Sequence, residues 1–288
     1  MDQPSQIGSQ RRSSGMRWWV LLLFALYLGG YLHGHRQEAA FSGRMRLIET
    51  GIEQELALGL QGFEQVRAEA TLVEAGEEWV RLREVNRRLV EAAPALEQYL
   101  AERRGIAART EWERYAWQVA LIDSAEADAF ALPGGKLVVH RGMLPLAPSV
   151  DALAALMSHE IAHLLLRHAA ERAAQQKLVP VGAMADLDLR QRPLLMAALG
   201  AGTRFGTPLP FSREHEAEAD HVALMLAAAA CYRPEAALGL WQRIGERVAA
   251  KAPPEFISTH AASSKRIRRL HGWMDEANQI RAQFCGNR

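Results

Sequence analysis

Leu156-Met157-Ser158-His159-Glu160-Ile161-Ala162-His163-Leu164-Leu165-Leu166 is the stretch on which the reading of this 288-residue chain turns. Two histidines four residues apart on a helix lie on one face, about a turn apart. Both imidazoles then reach one tetrahedral zinc ion, and the Glu after the first His stands beside the open coordination position. There it can take a proton from the attacking water. His159 and His163 are therefore candidate metal ligands, and Glu160 is the candidate catalytic base. The spacing alone is only suggestive, since a random order of the same residues would contain it in about 3 chains per hundred. The flanking Leu153, Leu156, Met157, Ile161, Leu164, Leu165 and Leu166 add weight. They make this a buried helix, in which polar groups need partners. The competing reading is a buried helix whose histidines are satisfied by ordinary hydrogen bonds. His168 is tempting as a third ligand, but helical geometry argues against it. At about 100° per residue it lies about 180° from His159 and about 140° from His163, so it reads as structural or surface.

Working outward, Ser149 is a plausible N-cap with Asp151 in the first turn, and one helix is expected from about Val150 to Gln176. Before it, Trp117–Ile122 reads as a strand. Phe130-Ala131-Leu132 then leads into the turn Pro133-Gly134-Gly135 and a second strand, Lys136–His140. From Phe41 to about Gly105 the chain is charged and helical in period. Leu82, Val85, Leu89, Ala92 and Ala93 mark an apolar stripe, and Pro94 a break or a new first turn. Two or three amphipathic helices packing on the rest are expected there. Leu178 to Gly202 reads as a loop and a short helix over the active-site face, too charged for a membrane span. Further helices are expected at Arg213 to about Ala230, at Pro234–Ala250 and from about Ser263 onward.

A catalytic zinc needs a third protein ligand. The acidic run Arg213-Glu214-His215-Glu216-Ala217-Glu218-Ala219-Asp220-His221 is the candidate region. On a helix Glu216 and Asp220 share one face and Glu214 and Glu218 another, and periodicity does not choose between them. A solvated acidic face is the plain alternative.

The order of motifs resembles the HtpX and CAAX-prenyl-protease family of zinc metallopeptidases, closest to BepA-like and Oma-type members with an exported soluble domain. The residues that carry it are His159-Glu160-Ile161-Ala162-His163 with Arg167-His168, Phe211-Ser212-Arg213, and Glu216-x-x-Ala219-Asp220. Asp128–Gly135, Arg141-Gly142-Met143-Leu144 and Ser258-Thr259-His260 match further elements, over roughly Trp112 to Leu270. The resemblance selects Glu216 as third ligand, with Asp220 orienting a ligand histidine from behind. It suggests that Arg213 orders its helix or stabilises the reacting centre, and that His260 is a fourth ligand or a gate, or else a plain structural histidine. Asp128 stands where the family has Asn, Ala261 where it has Pro, and Cys231 where Gly is common. The implied fold class is α+β, mainly α: a zincin-like domain with a small sheet and an active-site helix, preceded by amphipathic helices and one N-terminal membrane anchor. The implied cofactor is one Zn²⁺ per chain and the implied reaction is hydrolysis of polypeptide substrates. Those would lie extended along an edge strand at Phe130, Ala131 and Leu132.

Composition is that of a folded protein, 49% hydrophobic and 23% charged. A net charge of +1 argues against a nucleic-acid partner, and Arg266/Arg268/Arg269 reads as a solvated helix face. Residues 1–17 form a polar tail with Arg11, Arg12 and Arg17, and Trp18–Leu32 is an uncharged, mostly apolar run. It is short for a span but lacks a small-x-small cleavage site after it, so an uncleaved anchor is preferred to a cleaved signal peptide. The basic flank predicts a single-pass inner-membrane protein with its catalytic part on the non-cytoplasmic, periplasmic side. A secreted or periplasmic form after signal cleavage, and an organellar inner membrane, are the alternatives. The expected divisions are 1–17, 18–36 (anchor), 37–110 (helical region) and 111–288 (metallopeptidase domain). Cys231 and Cys285 could pair in an oxidising compartment or stay free. Two other classes of function are open: a zinc-containing, gated interaction or chaperone-like protein, and a structural helical protein with a fortuitous motif.

Overall fold

A computed structural model describes residues 18–178, 212–250 and 264–286, together with Phe256 and His260. The expected loop at Leu178 to Gly202 thus falls almost wholly outside the described residues, as do Phe211, Ser258 and Thr259. Two compact units are present, Met1–Arg36 and Gln37–Arg288. In the first, helix α1 (Trp18–His35) leaves Leu22, Leu23, Leu26 and Tyr27 exposed. No helix among the described residues is long and apolar enough to cross a membrane.

The second unit begins with a small hairpin, β1 (Arg36–Glu38) and β2 (Met45–Leu47), and continues through α2 (Ile52–Glu69) and α3 (Glu77–Arg104). Then come β3 (Gln118–Ile122), β4 (Ala129–Leu132) and β5 (Lys136–His140), in spatial order β3-β5-β4. β5 runs parallel to β3 and antiparallel to β4, which leaves β4 at an edge. The alternation of these strands sorts their side chains. Ala120, Ile122, Leu132 and Val138 pack with Phe63 of α2, whereas Leu121, Ala129, Leu137 and Val139 join the main core. The Pro133-Gly134-Gly135 turn forms as expected, with positive φ at both glycines. Gly59 of α2 lies so close beneath it that an added Cβ would fall 1.7 Å from the Pro133 carbonyl oxygen.

The main core is helical: α3, α6 (Arg213–Ala229) and α7 (Ala236–Ala250) pack around α4 (Val150–Leu165), and α8 (Ser264–Gly272) and α9 (Met274–Cys285) pack on α6, with α8 also on α7. Ser149 caps α4 by accepting from the Ala152 amide at 3.1 Å. Three expectations need correction. α3 runs unbroken through Pro94, because Leu89, Ala93 and Leu96 on its inner face are fully buried and that packing outweighs the amide the ring removes. The C-terminal helix is two helices, α8 and α9. The long helix from Val150 ends at Leu165, and Arg167 takes a left-handed φ of 52° before α5 (His168–Leu178) starts in a new direction. The Arg167 guanidinium holds that turn, donating to Glu55, Glu111 and the Thr50 carbonyl. Cys231 and Cys285 form a disulfide.

Candidate zinc centre

α4 is buried along nearly its whole length, so His159, Glu160 and His163 are enclosed on every side. α6 crosses it and brings Glu216 opposite the two histidines; Ser212 caps α6 through the His215 amide at 3.1 Å. His260 is the fourth member. The ligand atoms of these four side chains all lie within 4.8 Å of one another. His159 Nε2 is 3.2 Å from His163 Nε2 and 3.3 Å from His260 Nδ1, and Glu216 Oε1 is 3.5 Å from His163 Nε2. Donors bound tetrahedrally at zinc distances sit about 3.3 Å apart. The spacings and the imidazole–carboxylate donor set therefore fit zinc. Of the two frames open in the acidic run, Glu216 turns to the histidine pair and Glu218 away from it.

Asp220, one turn beyond Glu216, places Oδ1 3.3 Å from His159 Nδ1, behind the ring. The residue that sequence reasoning missed is Arg266. Read as part of a solvated face, it is only 1% exposed, whereas Arg268 on the other side of α8 is open to solvent. Its guanidinium donates to Asp220 Oδ1 at 2.5 Å, lies 3.2 Å from Glu216 Oε2 and 3.2 Å from His159 Nε2, and stacks on Trp241. The available signal was helical: Arg266 lies one turn from Leu270, on the apolar stripe of its own helix. Arg213, by contrast, is exposed at the first turn of α6 and outside this cluster.

His168 is buried too, and its place depends on the turn at Arg167. Once the helix changes direction, His168 Nδ1 comes to 3.0 Å from His163 Nδ1. The angles that set His168 aside hold only for a continuous helix, which ends at Leu165. His168 stands behind a candidate ligand, on the side away from the His159–Glu216–His260 cluster.

Burial sets the electrostatics. It pushes the Glu160 carboxyl above the usual range, which suits a base working near neutral pH. His163 is held well below its usual pKa by burial and by the charge of His159, so it is a neutral imidazole able to donate a lone pair. At His159 burial and Arg266 push down, but hydrogen bonds with Asp220 and Glu216 outweigh them and raise it to about 9. A metal must therefore displace a proton there. Glu160 Oε1 makes no hydrogen bond among the described residues and lies 3.7 Å from His260 Nε2. β4 packs along α4, with Phe130 and Ala131 half-buried and Leu132 buried.

Comparison with known proteins places the chain in a family. The mitochondrial metalloendopeptidase OMA1 of Schizosaccharomyces pombe is 40% identical over 168 residues, covering 56% of this chain and 48% of the relative. OMA1 of Saccharomyces cerevisiae is 28% identical over 275 residues, 90% of this chain and 76% of its own. The beta-barrel assembly-enhancing protease of Escherichia coli is 31% identical over 171 residues, 56% of this chain and 34% of the relative. The chain thus spans about half the length of the first of these. The model of peptidase family M48 matches residues 95–274, a stretch that includes α4, α6 and every residue of the cluster. The chain therefore belongs to peptidase family M48, whose members are zinc metallopeptidases.

Proposed function

We propose that this chain is a zinc-dependent metalloendopeptidase that cleaves membrane-associated or misfolded envelope proteins. In this reading His159, His163 and Glu216 hold the metal, Glu160 is the base, and Asp220 orients His159. Bound zinc supplies Lewis acidity at the scissile carbonyl and lowers the pKa of water toward 7. Glu160 takes the proton of the attacking water and passes it to the leaving amine. Among the described residues β4 is an edge strand, and its backbone at Phe130, Ala131 and Leu132 is where an extended substrate would pair by strand addition. The observation that carries the reading is Glu160 itself, a buried carboxyl whose Oε1 has no hydrogen bond among the described residues and stands beside a zinc-type donor set. Glu160→Gln is expected to keep about one equivalent of zinc and to lose at least ~100-fold in cleavage of an unfolded protein. Cleavage at the wild-type rate overturns the mechanism.

His260 supports a closed resting form. Four protein donors fill a tetrahedron, whereas a catalytic site keeps one position open. His260→Ala is then expected to retain zinc and cut faster, and an unchanged rate excludes the gate. The same closure favours a second reading, a gated interaction protein, for which cellular function would survive Glu160→Gln. The exposed apolar side chains of α1 and the basic flank before it support a membrane anchor, with the catalytic unit on the periplasmic or intermembrane side. Alkaline extraction of membranes tests this, since an anchored chain stays in the pellet.

A further inference from the structure

Behind His163, on the side away from the proposed zinc, a line of polar groups runs from buried His168, Glu218 and Glu171 to half-buried Arg44 and Ser42, far back in the sequence. His163 Nδ1 is 3.0 Å from His168 Nδ1, and His168 Nε2 is 3.1 Å from Glu218 Oε2. Glu218 Oε2 accepts from Arg44 Nε at 2.5 Å, and its other oxygen accepts from the Ser42 hydroxyl. Arg44 spreads its two remaining nitrogens on Glu171, whose carboxylate also meets His215 Nε2 at 3.1 Å. Ser42 and Arg44 lie in the turn between β1 and β2, and neighbouring Ala39 and Phe41 pin that turn in the main core.

The polarity of this line runs one way. For Nε2 of His163 to present a lone pair to a metal, its Nδ1 must carry the proton and donate it to His168 Nδ1. His168 then carries its own proton on Nε2 and donates it to Glu218. Glu218, ionised, accepts there and from Arg44 and Ser42, so each hydrogen bond has one donor and one acceptor. The opposite tautomer of His168 would aim a lone pair at a carboxylate. Partners behind a ligand histidine fix its tautomer and ring orientation in this manner.

We propose that Ser42 and Arg44 are positioning residues for the metal ligand His163, acting through Glu218 and His168. The metal site is thus completed by a segment that lies outside the stretch matched by the family model and more than a hundred residues before the zinc motif. This inference rests on His163 being a zinc ligand.

The test is the rate at which zinc leaves the full-length chain for a chromogenic chelator, with the urea midpoint of each zinc-free form as the structural control. Glu218→Gln, which keeps the volume but not the charge, and Arg44→Ala are expected to release zinc roughly 10-fold faster or more. Arg44→Lys, which keeps the charge but not the fork, falls between Arg44→Ala and wild type. Ser42→Ala, the mildest change, covers the case in which Arg44→Ala does not fold, and should release zinc about 2-fold faster. With cobalt in place of zinc, the visible absorption bands shift in Glu218→Gln. Lowered urea midpoints with wild-type release rates and cobalt spectra would make Ser42 and Arg44 merely structural and overturn the proposal. Failure of the wild-type chain to hold zinc would instead sink the metallopeptidase reading beneath it.

Discussion

Arg266 is the largest fully buried side chain among the described residues, and it faces two carboxylates, Asp220 and Glu216. Replacing it by Met would strand those charges in the core. Urea unfolding of the zinc-free Arg266→Met protein should show a loss of roughly 3–5 kcal/mol; a change below about 1 kcal/mol would show the carboxylates neutralised by other means. Glu171 and Glu218 carry a second charge cluster. Burial works to raise both, but hydrogen bonds from Arg44 and His215 to Glu171, and from His168 to Glu218, prevail and leave each near 2. Their folded values lie below the ordinary value of 4.5, so their contribution to stability is complete above about that pH. It is lost as the pH falls toward 2. Glu171→Gln should flatten the fall of the urea midpoint between pH 5 and 3, measured against wild type; an unchanged slope contradicts the assignment. At this scale the sequence was legible wherever a local period carried the chemistry. His159, Glu160 and His163 follow from one turn of helix. Glu216 needed the resemblance, because an acidic run at one-turn spacing offers two frames. Arg266 was hidden because what buries it is a contact 46 residues back, with Asp220.

Among the elements, the three-stranded sheet and the turn between β4 and β5 were readable from alternation and from the paired glycines, whereas the β1–β2 hairpin, whose second strand lies in a stretch read as helical, was not. The start of α4 from Ser149 and the extent of α6 were readable too. The break at Arg167 was not, since a left-handed arginine leaves no local mark and is held by Glu55, Glu111 and Thr50, each distant in sequence. Pro94 misled in the opposite direction, because propensity is local and the packing that overrides it is not. Gly59 is where one element depends most on a missing atom. Gly59→Ala would force α2 off the Pro133 carbonyl, at a cost of at least about 1–3 kcal/mol. Thermal unfolding should show the loss; a melting temperature within about a degree of wild type would mean the turn can yield. Because that turn links β4 to β5, the same variant should weaken substrate binding more than turnover.

For the whole molecule, the disulfide between Cys231 and Cys285 is the main long-range covalent constraint, and the sequence left it open. Cys231 has φ of 68°, a left-handed conformation that a residue with a Cβ adopts only where the surrounding structure holds it. Closing a span of 54 residues in the unfolded chain contributes about 4 kcal/mol on loop entropy alone. Cys231→Ser/Cys285→Ser should lower the urea midpoint accordingly, and equal midpoints would show that the bond adds nothing to the folded core. His260 and Arg266 both lie inside that covalent ring. A backbone cut between residues 232 and 284 therefore cannot release either piece. Such a nicked molecule gains only the water of hydrolysis and migrates as one band until a reductant is added, when it parts into two. Self-cleavage in this stretch would be invisible on a non-reducing gel, so each cut molecule would count as intact until its thiols were freed.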